Sequence, residues 1–183
     1  MTTSAADRFR RVNSTFTTRL AEVADWSAPT PCDGWVASDV VRHLAEWVPG
    51  FFGGAGVPLT PGPAVDTDPV GAWTALGDQL QALLDDPEAA ARPISAGPMG
   101  EMPLADAIER LVTGDVHVHT WDLARACGLD ETLDAEVSAD MLAGMEPMDA
   151  MLRASGHFGP RVDAPADASV QDKLLAFMGR QPS

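Results

Sequence analysis

Two histidines and two aspartates carry most of the chemistry open to this sequence. Asp115, His119 and Asp122 fall in the run GDVHVHTWDLARAC, and side chains four residues apart on a helix lie one above the other. Projected at about 100° per residue from Asp115, Leu104, Ile108, Leu111 and Val118 lie within about 60°, and His119 and Asp122 within about 40°. A carboxylate, an imidazole and a second carboxylate therefore share the apolar stripe of one helix. Burying such groups without a partner is costly, so they need one in common.

A divalent cation is such a partner, and the i, i+4 spacing lets two ligands converge on one ion. His43 offers a third ligand: on a second helix it projects about 40° from Trp47 and about 60° from Val40, and facing helices bring such residues together. Three protein ligands leave coordination positions open, as catalytic centres do. Spacing alone leaves plainer readings in place. His43 reads also as a structural residue, Asp115 and His119 as a weak helix-surface pair, and all three as a polar core network without metal. Asp122 reads equally as a hydrogen-bond partner behind a ligand and as an ordinary ion pair. His117 projects about 200° from Asp115 and is expected to face solvent. His157 lies in a glycine-flanked segment with no helical partner, and Cys32 and Cys127 read as reactive thiols or as small hydrophobes.

The elements that must position these residues are helices. Phe9, Val12, Phe16, Leu20 and Val23 recur at helical spacing from about Ser4 to Val23. Ser38 is the expected cap of a second helix carrying Val40, Leu44, Trp47, Val48 and Phe51, stopped by Gly53 and Gly54. Asp68 and Pro69 open a third, with Trp73, Leu76, Leu80, Leu83 and Leu84 as its buried stripe. A fourth, the longest, runs from Pro103 to Cys127 before Gly128. A fifth, from Asp134 to Ala154, must kink or divide at Pro147, and a short one spans Val170 to Met178. Prolines and glycines make 49–69 a long loop, expected to border the site, and leave 93–103 room for at most a short hairpin. The expectation is an all-α single domain over 1–183, an antiparallel bundle with extra short helices and unequal loops.

Composition bounds the function. Twelve Lys plus Arg against 27 Asp plus Glu give a net charge of −15, which repels phosphate backbones and anionic membranes. No apolar run is long enough for a membrane span, and none follows the N-terminal arginines as a secretory signal requires. Two cysteines are too few for a disulfide framework. A cytoplasmic protein with no nucleic-acid or membrane partner is expected.

The segments TPCDGWVASDVVRHL (30–44) and HTWDLARACG (119–128), with the closing LLAFMGRQP (174–182), resemble the mycothiol-dependent maleylpyruvate isomerase-like family of the DinB superfamily. The last of these is similar to the tail of short actinobacterial members. The resemblance implies a four-helix bundle, often dimeric, with a divalent metal held between helices by His43, Asp115 and His119. It also implies a low-molecular-weight thiol, mycothiol or bacillithiol, as cosubstrate. The isomerase proper carries a further C-terminal domain beyond this chain's length, and some relatives place Glu where this chain has Asp115. The expected activity is a metal-dependent thiol transferase acting on a small electrophile, with Asp122 or a loop residue handling orientation or protons. Zinc is the first choice of ion, with nickel, manganese and iron(II) also suited to two histidines and a carboxylate. Metal-assisted hydrolysis and non-catalytic metal binding are the alternatives.

Overall fold

The computed structural model describes residues 3–154 and 159–182. The chain divides into two compact units, residues 1–131 and 132–183, and apart from one small hairpin their regular elements are helical. The class is all-α, as the periodicity requires.

In the first unit, α1 (Ala5–Glu22) starts at Ser4, whose hydroxyl accepts the Asp7 N–H at 3.1 Å. That bond satisfies one of the amides a helix start leaves without a partner. α2 (Ala37–Gly54) begins one residue before the expected cap: Val36 is the N-cap, and its own N–H is taken by the Asp39 carboxylate at 3.0 Å. Ser38 therefore lies inside the first turn and does not cap. α2 also continues through Pro49, where a loop was expected to begin. Val48 and Phe52, on either side of the proline, are fully buried, and that apolar face carries the helix past the missing N–H.

α3 (Pro69–Asp85) opens as the sequence indicates, with the Asp68 carboxylate accepting from Gly71 N at 2.8 Å. A short α4 (Pro87–Ala91) follows, then β1 (Pro93–Ser95) and β2 (Glu101–Pro103), antiparallel with Ile94 opposite Met102. The expected fourth helix is present from Leu104 to Cys127 but is not uniform. α5 (Leu104–Ala107) passes into a π-helical stretch, Ile108–Thr113, before α6 (Gly114–Cys127). The Thr113 hydroxyl donates back five residues to the Ile108 carbonyl at 3.3 Å, within that wider turn. Gly128 ends α6 at φ +65°, the left-handed conformation that favours glycine.

α1 packs against α3 and α6, and α2 packs against the same two helices. Phe9, Phe16, Leu44, Trp73, Leu80, Ile108 and Leu123 are among the side chains buried in this unit. Phe16 meets Trp73 edge to face at 5.2 Å between ring centres, and the Trp73 N–H donates to Asn13 Oδ1 at 2.8 Å. This fully buried indole thus has its one polar atom satisfied.

In the second unit, Pro147 divides the expected fifth helix into α7 (Ala135–Met145) and α8 (Asp149–Ala154), joined by a 3₁₀ turn. α7 packs against α9 (Val170–Phe177). Arg153 and Arg161 stack on the Phe177 ring at 4.8 and 5.0 Å. No helix among the described residues is long and apolar enough to cross a membrane.

Candidate metal centre

α6 is the helix that decides the site. From Val116 to Ala124 every residue is buried, which is the behaviour of a helix enclosed on all sides and not of an amphipathic surface helix. His117 is accordingly 2% exposed, so the expectation that it faces solvent is wrong. The projection gave its direction relative to Asp115 but could not show that protein also covers the opposite face. The π-helical stretch disturbs the same projection upstream of Gly114, because each extra residue per turn rotates Leu104 and Ile108 relative to Asp115. Downstream of Gly114 the helix is regular, and there the spacing argument applies.

Asp115 and His119 stand one turn apart on α6, and α2 supplies His43 beside them. His43 Nε2 lies 3.1 Å from Asp115 Oδ2, and His119 Nε2 lies 3.4 Å from Asp115 Oδ1. The three ligand atoms lie within 4.8 Å of one another, so the trio singled out by spacing is brought together. The site is buried on one side only: the side chains of His43 and Asp115 are 32% and 26% exposed, that of His119 only 7%.

Asp122 has no exposed side-chain surface, and its Oδ2 lies 2.9 Å from His119 Nδ1. With the Nδ1 proton donated to Asp122, Nε2 is the nitrogen that faces Asp115 and His43, and it offers a lone pair to an ion that displaces its own proton. This carboxylate-behind-histidine arrangement fixes the tautomer and ring orientation of metal-binding histidines. Asp122 thus acts on His119 and does not face the open side.

Three further residues complete the centre. The Trp47 indole N–H donates to Asp115 Oδ2 at 2.9 Å, and its position four residues after His43 places it on the same helix face, so spacing could have found it. Trp35 stacks on His119 with ring centres 5.7 Å apart and planes 19° apart, and is tilted against His43 at 5.1 Å. Cys32 Sγ lies 3.5 Å from Asp122 Oδ2. Trp35 and Cys32 come from a turn, closed by Trp35 N–H donating to the Cys32 carbonyl at 3.0 Å, in which Gly34 has φ +76°. No helical periodicity reaches a turn, so only the quoted motif pointed there. Cys127 lies elsewhere on α6, its Sγ 4.0 Å from the Asp25 carbonyl. His157 falls outside the described residues.

The loop 55–68 is fastened to α2 and α3 by Arg42 to Asp66 at 2.7 Å and by Thr60 and Gln79, which exchange two hydrogen bonds. It lines a cavity of about 310 Å³ with Arg42, Glu46, Pro49 and Leu76. His43, Asp115 and His119 do not line that cavity.

Charge in the centre is partly offset internally. Burial alone would lower the pKa of His119, yet the Asp115 charge, the Asp122 hydrogen bond and Cys32 together push it up to about 10. Burial likewise works against the Asp115 charge, while His119, His43 and Trp47 hold its carboxyl below the usual value. Two imidazole nitrogens and a carboxylate with an oriented histidine form a donor set that suits a divalent ion. The residues present fit a metal.

Fold and site together define an all-helical protein with a two-histidine, one-aspartate centre able to hold a metal ion. Over 175 residues the chain is 30% identical to two proteins of Mycobacterium tuberculosis, the uncharacterized protein Rv0738 of strain H37Rv and the uncharacterized protein MT0763 of strain CDC 1551. The match covers 93% of this chain and 94% of each relative, and the chain belongs to their family. No family model and no solved structure matches it.

Proposed function

We propose that the chain is a metal-dependent thiol transferase of the DinB superfamily, joining a low-molecular-weight thiol, mycothiol first, to a small electrophile. The four helices α1, α2, α3 and α6, each packed on two others, support an antiparallel four-helix bundle as the architecture. The observation that carries the reading is the convergence of His43, Asp115 and His119 at an edge that remains accessible.

A divalent ion held there, zinc in this reading, supplies a Lewis acid that favours the thiolate form of a thiol at neutral pH. The chain's own residues do the rest. Asp122 keeps the Nδ1 proton of His119 and so aims Nε2, and the Trp47 N–H fixes the Asp115 carboxylate. Trp35 covers one face of the His119 ring and keeps water from it. The exposed edges of His43 and Asp115 mark the side from which thiol and electrophile arrive. Asp122, without any exposed surface, is a positioning residue in this scheme.

The test is turnover by zinc-loaded protein of a haloaromatic or an unsaturated keto acid, with mycothiol, bacillithiol, glutathione or no thiol present. Thiol-dependent loss of the electrophile, abolished in Asp115→Ala, is the expected result. Hydrolysis at equal rate without thiol replaces the transferase reading by a hydrolase. No consumption with any thiol leaves a non-catalytic metal site in its place.

A further inference from the structure

His119 has two ring nitrogens, and each faces a different set of donors. Nε2 faces Asp115 and His43; Nδ1 faces Asp122 Oδ2 at 2.9 Å, and Cys32 Sγ lies 3.5 Å from the same oxygen. The atoms of Cys32, His119 and Asp122 lie within 4.8 Å of one another, as do those of the first trio. We propose that Cys32, His119 and Asp122 form a second, sulfur-containing cation site that shares His119 with the first and takes a soft or borderline divalent ion, cadmium or cobalt(II), through Nδ1.

The spacing fits an ion. Bonds of about 2.0 Å to nitrogen or oxygen and about 2.3 Å to sulfur set neighbouring donor atoms about 3–4 Å apart, and the separations of 3.5 and 2.9 Å fall at or next to that range. The donor set also differs in kind from the first. A thiolate selects softer ions than carboxylate and imidazole do, so the two sites sort cations by chemistry. Cys32 is held for this role by its turn: its N–H donates to Thr30 Oγ1 at 3.2 Å while its carbonyl accepts from Trp35. Cys32 is half-buried, which gives an ion a way in that the fully buried Asp122 does not offer. Occupation costs two protons, one from the Cys32 thiol and one from His119 Nδ1, both released to solvent.

Because Nδ1 cannot donate to Asp122 and bind an ion at once, filling the second site withdraws the hydrogen bond that orients His119 for the first. The sites therefore compete, unless a deprotonated His119 bridges two ions. Exposure to a soft cation is expected to weaken the first site, a behaviour independent of whether the protein transfers thiols.

The test is a cobalt(II) titration of the whole chain without added thiol, in the Cys127→Ala background so that one cysteine remains. His43→Ala removes a ligand of the first site alone. It is expected to bind one cobalt per chain with a sulfur-to-metal charge-transfer band in the near ultraviolet, and Cys32→Ser in that background is expected to lose the band. Asp115→Asn serves as the second such variant if His43→Ala does not fold, with far-ultraviolet circular dichroism as the check. Absence of the band in the folded variants overturns the proposal, and so does its survival in Cys32→Ser. Weaker zinc binding by His43→Ala than by the wild-type chain, with the cobalt–sulfur band intact, supports both sites. A band together with zinc affinity that His43→Ala leaves unchanged upholds the second site while refuting the first.

Discussion

At the level of single residues the centre is built in two layers, and the layers make different predictions. In a Cys32→Ser background, which removes the sulfur donor of the second site, His43→Ala takes a donor from the three-residue centre, so zinc is expected to be lost on dialysis, as read by elemental analysis. Asp122→Asn keeps every donor and disturbs only the orientation of His119; a drop in zinc affinity of about 10–100-fold is expected, read by competition with a chromophoric chelator. His117→Ala should retain its zinc but melt earlier, since a residue 2% exposed is packed and its loss leaves a cavity. Proton release measures the same centre in another way. His119, with its pKa pushed up to about 10, is protonated at neutral pH in metal-free protein, and an ion at Nε2 must displace that proton. About one proton per zinc is expected at pH 7 from calorimetry in buffers of different ionisation enthalpy, and the metal should bind more weakly as pH falls. Release of none would mean that His119 is already neutral and the internal charge balance is misjudged. For the metal-free chain the sign is fixed. A histidine raised from 6.5 to about 10 contributes stability that is complete below about pH 6.5 and lost as pH rises toward 10.

Elements hold that centre in place, and Trp73 is the clearest point of load among them. It is fully buried, packs against Phe16 of α1 and donates to Asn13, so Trp73→Ala is expected to cost about 3–5 kcal/mol, measured by urea denaturation. A cost below about 1 kcal/mol would show that α1 and α3 do not depend on this contact. The sequence made such elements legible wherever one rule acted alone. Ser4, Asp68 and Gly128 mark helix ends because caps are local chemistry, and Pro147 divides α7 from α8 because proline lacks an N–H. Legibility failed where tertiary packing overrode the local rule. Pro49 is carried inside α2 by the buried Val48 and Phe52, and Ser38 is passed over because Asp39 caps Val36 instead. The π-helical stretch at Ile108–Thr113 has no residue signature and shifts every angle projected across it. The convergence of His43, Asp115 and His119 survived this because Asp115 and His119 both lie in the regular part of α6. Trp35 and Cys32 reach the centre from a turn fixed by Gly34, where neither helical nor strand periodicity has any purchase.

For the whole molecule the question is whether the ion is part of the fold or a guest in it. The first unit buries Phe9, Phe16, Trp73, Leu80, Ile108 and Trp121 almost completely, and each such side chain contributes about 1.5–3 kcal/mol or more on burial. A core of that kind needs no ion to form. Without metal the Asp115 and Asp122 carboxylates share one protonated imidazole, His119, and the remaining negative charge is met by hydrogen bonds from Trp47 and Cys32, so removing the ion leaves neither carboxylate without a partner. Metal should therefore act by mass action, adding about 2.7 kcal/mol when free zinc stands at 100 times its Kd. One confounding effect must be separated. A chain of net charge −15 gathers divalent cations loosely over its whole surface, and relief of self-repulsion also raises the melting temperature. That diffuse effect is screened at physiological ionic strength, where the Debye length is about 8 Å; binding by three ligand atoms within 4.8 Å of one another is not. The expected outcome in 0.15 M salt, in the Cys32→Ser background, is a zinc-dependent rise in melting temperature that saturates at one ion per chain, is absent when His43→Ala is added and is not reproduced by magnesium. After chelation the helical circular dichroism at 25 °C should persist. Collapse of the helical signal on chelation would make the centre a structural one, and a thermal shift that magnesium matches would reduce it to charge neutralisation; in either case an open catalytic site at His43, Asp115 and His119 would have to be abandoned.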